Sequence, residues 1–228
     1  FKDCKSTIPH FIKFPIENKN DWLTFKNRLN PYSNRYPLEE EWKRFKEDAE
    51  NSKFPIVISG GSLFGWIRNW MGFENCLMAF YDQPDLIEEI IEYLCDFILS
   101  VDERALLEVK IDTVSMWEDM AFKTQPMISP ALFKKYLVPR YKKMSERFRK
   151  AGINLIFIDC DGNINEIAGL WLDAGINIMF PLEINSGSDP VALRKKFGKR
   201  VLLMGGIDKK ALIEGPKAIE RELNRIKA

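Results

Sequence analysis

The sequence predicts an α/β fold of the (β/α)-barrel type, in which parallel strands alternate with helices. Three glycines, Gly152, Gly175 and Gly198, recur every 23 residues at the ends of helical patterns. Glycine just past a helix end takes the left-handed conformation that other residues resist. An apolar run follows each of these glycines closely, and a fixed period of this kind indicates a repeated strand–helix unit.

Five apolar runs are predicted to be strands, namely residues 54–59, 111–116, 153–158, 176–182 and 201–204. Such a series fits either a barrel or an open doubly wound sheet. Neither GxGxxG nor GxxxxGK[ST] follows any of the runs, so a nucleotide-binding sheet lacks its usual motif. We therefore expect the barrel.

Helical spacing of apolar residues follows the strands. One helix begins at Pro84, a residue that suits the first helical turn, and another begins after Ser129 as N-cap. The last begins at Pro216 and places Ile219, Leu223 and Ile226 on one side.

The region before the first strong strand is predicted to be less regular. Aromatic and leucine residues suggest two short helices within residues 22–45. The segment 8–16 is a candidate edge strand or extended arm, because Pro9 and Pro15 cannot donate to a ladder. We expect one domain over residues 1–228, with an arm and helices over 1–53 and strand–helix units over 54–228.

Composition restricts the class of ligand. The 228 residues are 46% hydrophobic, and 34 basic against 33 acidic side chains leave a net charge of +1. This balance gives no reason to expect nucleic acid or an anionic membrane as partner, so a small molecule is the default ligand. Four scattered cysteines and no apolar run of about 20 residues indicate a cytoplasmic protein with reduced thiols. The chain starts at Phe1 and ends in a helical pattern, which suggests a piece of a longer protein.

Polar residues concentrate where the predicted strands end, the edge that carries the site in parallel barrels. Neighbouring strands lie about 4.8 Å apart. Carboxylates at their ends therefore repel one another unless they are protonated, paired or bridged by a cation. Asp159 and Glu183 end strands that are otherwise apolar, so local structure explains them least. The candidate site residues are Ser62, Arg68, Glu118, Asp119, Asp159, Asp161, Asn163, Glu183 and Asp208.

Several of these candidates also have a purely structural interpretation. Asp161 and Asn163 can form a turn and a helix cap, and Asp208 can be a helix cap. The turn at residues 59–62 can be an anion-binding nest or only a tight strand-to-helix connection. Arg68 can face the polar cup that the carboxyl ends of the strands would form, or it can pair with an acid.

Two residue types limit the chemistry. His10 is the one histidine and is far from this edge in sequence, so neither a Ser-His-Asp triad nor a multi-histidine zinc site is available. Cys160 lies between two acids, which disfavours its thiolate. Acid–base and electrostatic roles for the carboxylates remain.

Four segments form a recognisable series: FPIVISGGSLFGWIRNWMG, the WED at 117–119, DCDGNINEIAGLWLDAGINIMFPLE and VLLMGGIDKKAL. Together they resemble the superfamily of uroporphyrinogen decarboxylases and cobalamin-dependent methyltransferases. The resemblance implies a (β/α)8 TIM barrel whose first and last strands are missing from this chain. Sheet edges left open in this way would favour a homodimer or covering of the edges by helices.

The two branches of the superfamily imply different sites. In the decarboxylase branch Arg68 stands where a tyrosine is expected and Asp119 where a serine is expected. In the methyltransferase branch Asp159 and Asp161 occupy the positions of the zinc-binding His and Cys, so they are candidate ligands of a divalent metal such as zinc.

The resemblance leads to three functional hypotheses. The first is a methyltransferase-like enzyme acting on a small methylated compound, with a corrinoid supplied by a partner protein. Its catalytic residues would be Asp159, Asp161, Glu183 and Glu118, and its substrate-binding residues Arg68, Asp119, Asn163, Ser62 and Asp208. The second is decarboxylation of a porphyrinogen or polycarboxylate. The third is a non-catalytic partner that binds a tetrapyrrole or corrinoid.

Overall fold

A computed structural model describes residues 11–227 and contains five strands, each followed by helix. The strands are β1 (Val57–Ser59), β2 (Thr113–Trp117), β3 (Leu155–Asp159), β4 (Ile178–Leu182) and β5 (Leu202–Gly205). The helices are α1 (Lys19–Lys26), α2 (Glu39–Glu50), α3 (Gly65–Met71), α4 (Phe73–Asp82), α5 (Pro84–Glu108), α6 (Pro130–Leu132), α7 (Val138–Lys150), α8 (Ala168–Asp173), α9 (Pro190–Phe197), α10 (Lys210–Glu214) and α11 (Pro216–Lys227).

The five strands form one parallel sheet in the order β1-β2-β3-β4-β5. A doubly wound sheet reverses direction at a switch point. Here every crossover advances to the next position, so the described sheet has the strand order of a barrel wall. Within residues 11–227, β1 pairs only with β2 and β5 only with β4.

The two faces of the sheet differ in burial. Val114, Ile156 and Met179 on the helix-covered face are fully buried and belong to the core. The opposite, inner face carries Val57 and Met204, which are 56% and 51% exposed. Together with Phe157 and Ile178 these residues line a groove of about 750 Å³. Helices therefore cover this sheet on one side.

The N-terminal helices are attached to α5 through two buried indole rings. Trp22 Nε1 donates to Glu89 at 3.0 Å, and Trp42 Nε1 donates to Glu108 at 2.9 Å. A buried tryptophan needs a partner for its N–H, and each acid supplies one from the surface of α5. This contact places residues 19–50 on the outer surface of α5.

The five predicted strands are confirmed in number and order, and each begins one to three residues later than expected. Ser129 caps its helix by accepting from Leu132 N at 3.2 Å, and Gly152 and Gly175 have φ of +88° and +93°. Of the two alternatives for segment 8–16, the edge strand is wrong for residues 11–16, where Ile16 N donates to Trp70 O and no ladder forms. Residues 8–10 lie outside the described part.

The helix from Pro216 is present, but its apolar side remains open. Leu223 and Ile226 are 45% and 47% exposed. Between residues 11 and 227, none of the helices combines the length and apolar character that a bilayer crossing requires.

Candidate active site

The candidate site lies at the carboxyl edge of β2, β3 and β4. Trp117, Asp159 and Phe180 stand in register across these three strands. Residues in register on parallel strands point to the same side of the sheet. Asp159 is therefore placed between two aromatic side chains on the inner face, and all three are half-buried.

Asp119 comes to this edge through a sharp turn after β2. Its φ of 46° is in the left-handed region, which is uncommon for a residue other than glycine. Glu118 N donates to Asp159 O at 2.9 Å, and Asp119 Oδ1 accepts from Asp161 N at 3.2 Å. Asp119, Asp159 and Asp161 therefore converge, and we call them the acid cluster.

Crowding in the acid cluster changes how its members hold protons. Burial raises the pKa of Asp159, and the charges of Asp119 and Asp161 raise it further. Burial also raises the pKa of Asp161, with Glu183 and Asp119 acting in the same direction. Like charges this close are relieved when one carboxyl keeps its proton.

Glu183 differs from the acid cluster because it is paired. It forms an ion pair with Lys209 and accepts from Gly162 N at 2.9 Å. The hydrogen bond from Lys209 lowers the pKa of Glu183. Together with Asp161, these two residues line a cavity of about 310 Å³ between the ends of β4 and β5. Glu183 is therefore an ionised wall of that cavity.

Arg68 on α3 reaches the same edge from the outside. Its Nη1 donates to the carbonyl of Asp119, and its guanidinium lies over the Trp117 ring at 5.3 Å from the centroid. The side chain is half-buried. Arg68 therefore contacts the backbone carbonyl of Asp119 and the Trp117 ring at the rim formed by the strand ends.

Glu118 does not face the cup, and its expected catalytic role is corrected. The side chain is fully buried and accepts from Ser62 Oγ at 2.8 Å, from the backbone N–H groups of Leu63, Phe64 and Gly65, and from Tyr141 Oη at 2.7 Å. Ser62, expected to bind substrate, is buried beside it. The nest at the end of β1 is thus filled by the protein's own carboxylate.

Asn163 and Asp208 both accept hydrogen bonds from backbone N–H groups two residues later in the chain. Asn163 Oδ1 accepts from Asn165 N at 3.1 Å, and Asp208 Oδ1 accepts from Lys210 N at 2.9 Å at the start of α10. These contacts fit the turn and cap interpretations of both residues. Asp208 is not part of the cavity wall.

The residues at this edge do not fit the zinc site of the methyltransferase branch. Among residues 11–227, no three His, Cys, Asp or Glu side chains are placed to hold one metal ion. Cys160 is buried, its sulfur accepts from Met120 N at 3.3 Å, and burial raises the pKa of its thiol. Asp159 and Asp161 alone supply too few ligands for the four-coordinate site that zinc prefers.

Sequence patterns missed two contributors to this edge. Trp117 and Phe180 end apolar strands and give no signal of their own, although the strand register could have placed them beside Asp159. Lys209 follows the GGID segment at the same edge, but no spacing in the sequence indicates that it pairs with Glu183.

Comparisons with known proteins agree with this architecture. A family model described as uroporphyrinogen decarboxylase (URO-D) matches residues 4–228. Among solved structures, a methyltransferase from Methanosarcina mazei is similar with a TM-score of 0.54 and 17% sequence identity. The similarity covers 72% of this chain and 45% of that chain, so this chain spans less than half of that protein. At this identity the likeness concerns the fold. No curated protein matches the chain.

Proposed function

The chain belongs to the uroporphyrinogen decarboxylase family, and within it we propose a methyltransferase-like enzyme that acts on a small methylated compound. The methyl acceptor would be a corrinoid supplied by a partner protein. The observation that carries the proposal is the acid cluster, in which Asp159 and Asp161 have raised pKa values at an accessible edge.

The acid cluster provides the proton that methyl transfer requires. When a methyl group leaves an oxygen, sulfur or amine nitrogen, that atom keeps the bonding electrons and needs a proton. A carboxyl group with a raised pKa keeps its proton to higher pH and is a suitable general acid. We assign this role to Asp159, with Asp161 as the second candidate.

Glu183 and Lys209 would position the substrate. Because Glu183 is held ionised by Lys209, it is a poor proton donor and a good hydrogen-bond acceptor. Beside Asp159, Trp117 and Phe180 supply an apolar wall against which a methyl group can pack.

Size and charge favour a small substrate over a polycarboxylate. A cavity of about 310 Å³ lies at the lower end of ligand pockets in proteins. Substrate carboxylates in this cavity would meet Asp161 and Glu183, while Lys209 is already paired and Arg68 is bound to the backbone. Decarboxylation of a porphyrinogen therefore ranks second, and non-catalytic corrinoid binding ranks third.

We also propose that the five-stranded sheet is part of a (β/α)8 barrel. The exposed inner face and the unpaired edges of β1 and β5 in residues 11–227 support this, because open edges and apolar faces are normally covered. The first and last strands of such a barrel would pair with the open edges of β1 and β5 and close the inner face. A homodimer is the alternative, and sedimentation of the full-length protein separates the two.

The function is tested with full-length protein, cob(I)alamin and a panel of methanol, methanethiol and methylamines. The absorbance of the corrinoid reports methyl transfer. We expect turnover with at least one donor and a loss of about 100-fold in kcat in Asp159→Asn, which cannot donate a proton. Asp173→Asn is the control, since Asp173 is an exposed acid that pairs with Arg200 on the outer surface.

The other two hypotheses have their own outcomes. Conversion of uroporphyrinogen to coproporphyrinogen would reverse the order of the first two. Binding of cob(I)alamin without turnover of any donor would favour the non-catalytic partner. Equal kcat in wild type and Asp159→Asn would remove Asp159 as the acid.

A further inference from the structure

We infer that Glu118 is a positioning residue, which holds Arg68 and Asp119 in place at the rim without touching a ligand itself. Its effect on turnover rests on the function proposed above. The geometry it enforces can be measured without any substrate.

Glu118 joins three elements at one buried point. It lies just after β2, it accepts hydrogen bonds from residues 62–65 at the start of α3, and it accepts one from Tyr141 on α7. The backbone contacts are short, at 2.8 Å from Leu63 N, 2.7 Å from Phe64 N and 3.0 Å from Gly65 N. One carboxylate therefore determines how α3 sits against the end of β2.

Three of the five contacts are backbone N–H groups, which can only donate, and the hydroxyls of Ser62 and Tyr141 can donate as well, so the set matches an ionised carboxylate. Each carboxylate oxygen accepts from at least one backbone N–H, so an amide would place its NH2 group against one of them, and a protonated carboxyl would need a hydroxyl of Ser62 or Tyr141 as acceptor. Burial raises the pKa of Glu118, and the hydrogen bonds from Leu63, Tyr141, Gly65 and Phe64 act in the opposite direction. We take the ionised form as the one the five donors satisfy.

A closed chain of contacts runs from Glu118 to the rim and back. Phe64 donates its N–H to Glu118, and its carbonyl accepts from Arg68 N at 2.9 Å. The guanidinium of Arg68 then donates to the carbonyl of Asp119, the residue next to Glu118. A shift of α3 relative to β2 would therefore displace Arg68 and Asp119 together.

Asp119 is the member most sensitive to such a shift. Its left-handed φ of 46° is strained and persists only where the surroundings determine it from several sides. Here the five donors to the Glu118 side chain restrain the residue just before Asp119, and Arg68 donates a hydrogen bond to the carbonyl of Asp119. Gly65 shows how tight this packing is, because a Cβ there would lie 2.9 Å from the Glu118 carbonyl.

The test compares Glu118→Gln, Tyr141→Phe and Ser62→Ala with wild type by ¹⁵N NMR of the full chain. The Asp161 amide, which donates to Asp119 Oδ1, reports the position of that carboxylate through its chemical shift at neutral pH. We expect this chemical shift to move away from the wild-type value in all three variants. With a turned-over donor, kcat should fall about 10- to 100-fold in Glu118→Gln, more than KM changes.

Ser145→Ala is the matched control. Ser145 lies one turn from Tyr141 on α7, is buried, and donates to Ala174 O at 2.6 Å. This variant loses a buried hydrogen bond without touching the Glu118 contacts. It should lose stability while keeping the wild-type chemical shift of the Asp161 amide.

The outcomes separate the two proposals. If wild type shows no turnover, the proposed function fails, and the NMR comparison still decides the role of Glu118. If Glu118→Gln does not fold, Tyr141→Phe and Ser62→Ala decide it. Folded variants in which the Asp161 amide keeps its wild-type chemical shift, or an equal change in Ser145→Ala, would overturn the inference.

Discussion

Glu118 and the acid cluster place carboxylates of neighbouring sequence in opposite environments. Glu118 is sealed among five donors, whereas Asp119, the next residue, stands with Asp159 and Asp161 at an accessible edge. For Glu118 the donors oppose the effect of burial on the pKa, whereas for Asp159 and Asp161 repulsion between carboxylates adds to it. The partners of a carboxylate, and not its place at a strand end, therefore decide whether it supports the fold or is available for chemistry.

The largest expected effect comes from removing the sealed carboxylate. Glu118→Ala leaves buried N–H groups without acceptors, and we expect a loss of about 3–5 kcal/mol in the free energy of unfolding. Urea unfolding at neutral pH measures it. Asp161→Asn, at the accessible edge, is the control. Equal losses in the two variants would contradict the contrast between the two environments.

Asp102 is a third kind of carboxylate, because it is buried without the donors that surround Glu118. It is 8% exposed, its Oδ2 has no hydrogen-bond partner within residues 11–227, and burial raises its pKa to about 7. The folded state thus holds a proton that the unfolded chain releases near pH 4, and stability falls as pH rises from about 4 through 7.

Asp102→Asn should remove this pH dependence. Above pH 7 we expect the variant to be more stable than wild type by about 1–3 kcal/mol, with little difference below pH 4. Thermal unfolding across this pH range is the measurement. A variant that is less stable than wild type at pH 8 would show that Asp102 has a partner in solution.

A smaller effect concerns the backbone that carries Asp161. Gly162 has φ +87°, and a Cβ there would lie 2.5 Å from the carbonyl oxygens of Ala121 and Phe122. Gly152 has φ +88° with open space around the same position. Gly162→Ala should therefore lose at least about 1 kcal/mol more than Gly152→Ala, whose cost is the left-handed conformation alone. Similar unfolding midpoints would indicate that residues 121–122 move aside.

The smallest effects separate the acid cluster from its paired neighbour. The raised pKa of Asp159 means that its charge destabilises the folded state at neutral pH, so Asp159→Asn should stabilise by about 0.5 kcal/mol or less. The lowered pKa of Glu183 means that its charge stabilises above pH 4.5 and that this is lost on acidification. Glu183→Gln should destabilise by a similar amount at pH 7 and by nothing at low pH.

These two signs are measured by urea unfolding at pH 7 and pH 3. Each variant replaces one carboxylate oxygen by an amide nitrogen, and the two positions lie at the ends of the neighbouring strands β3 and β4. Each variant is therefore the control of the other. The same sign in both would remove the distinction between clustered and paired acids.

Local patterns predicted the elements well because their signals are short-range. Helical spacing after Pro84, the cap at Ser129 and the glycines at 152 and 175 depend on a few neighbouring residues. The strand order also followed, because a series of strand–helix units places consecutive strands side by side. From this order, Asp159, Asp161 and Glu183 could be placed at one edge.

What the amino-acid sequence determined by itself is therefore the family, the parallel strand–helix units and the edge at which the acids gather. Only the tertiary structure decided which of the acids are accessible. Glu118 and Asp119 are adjacent in a WED segment, and nothing local separates them. The donors that bury Glu118 come from residues 53 to 56 positions earlier and from Tyr141, and contacts across such distances form only when helices pack on the sheet.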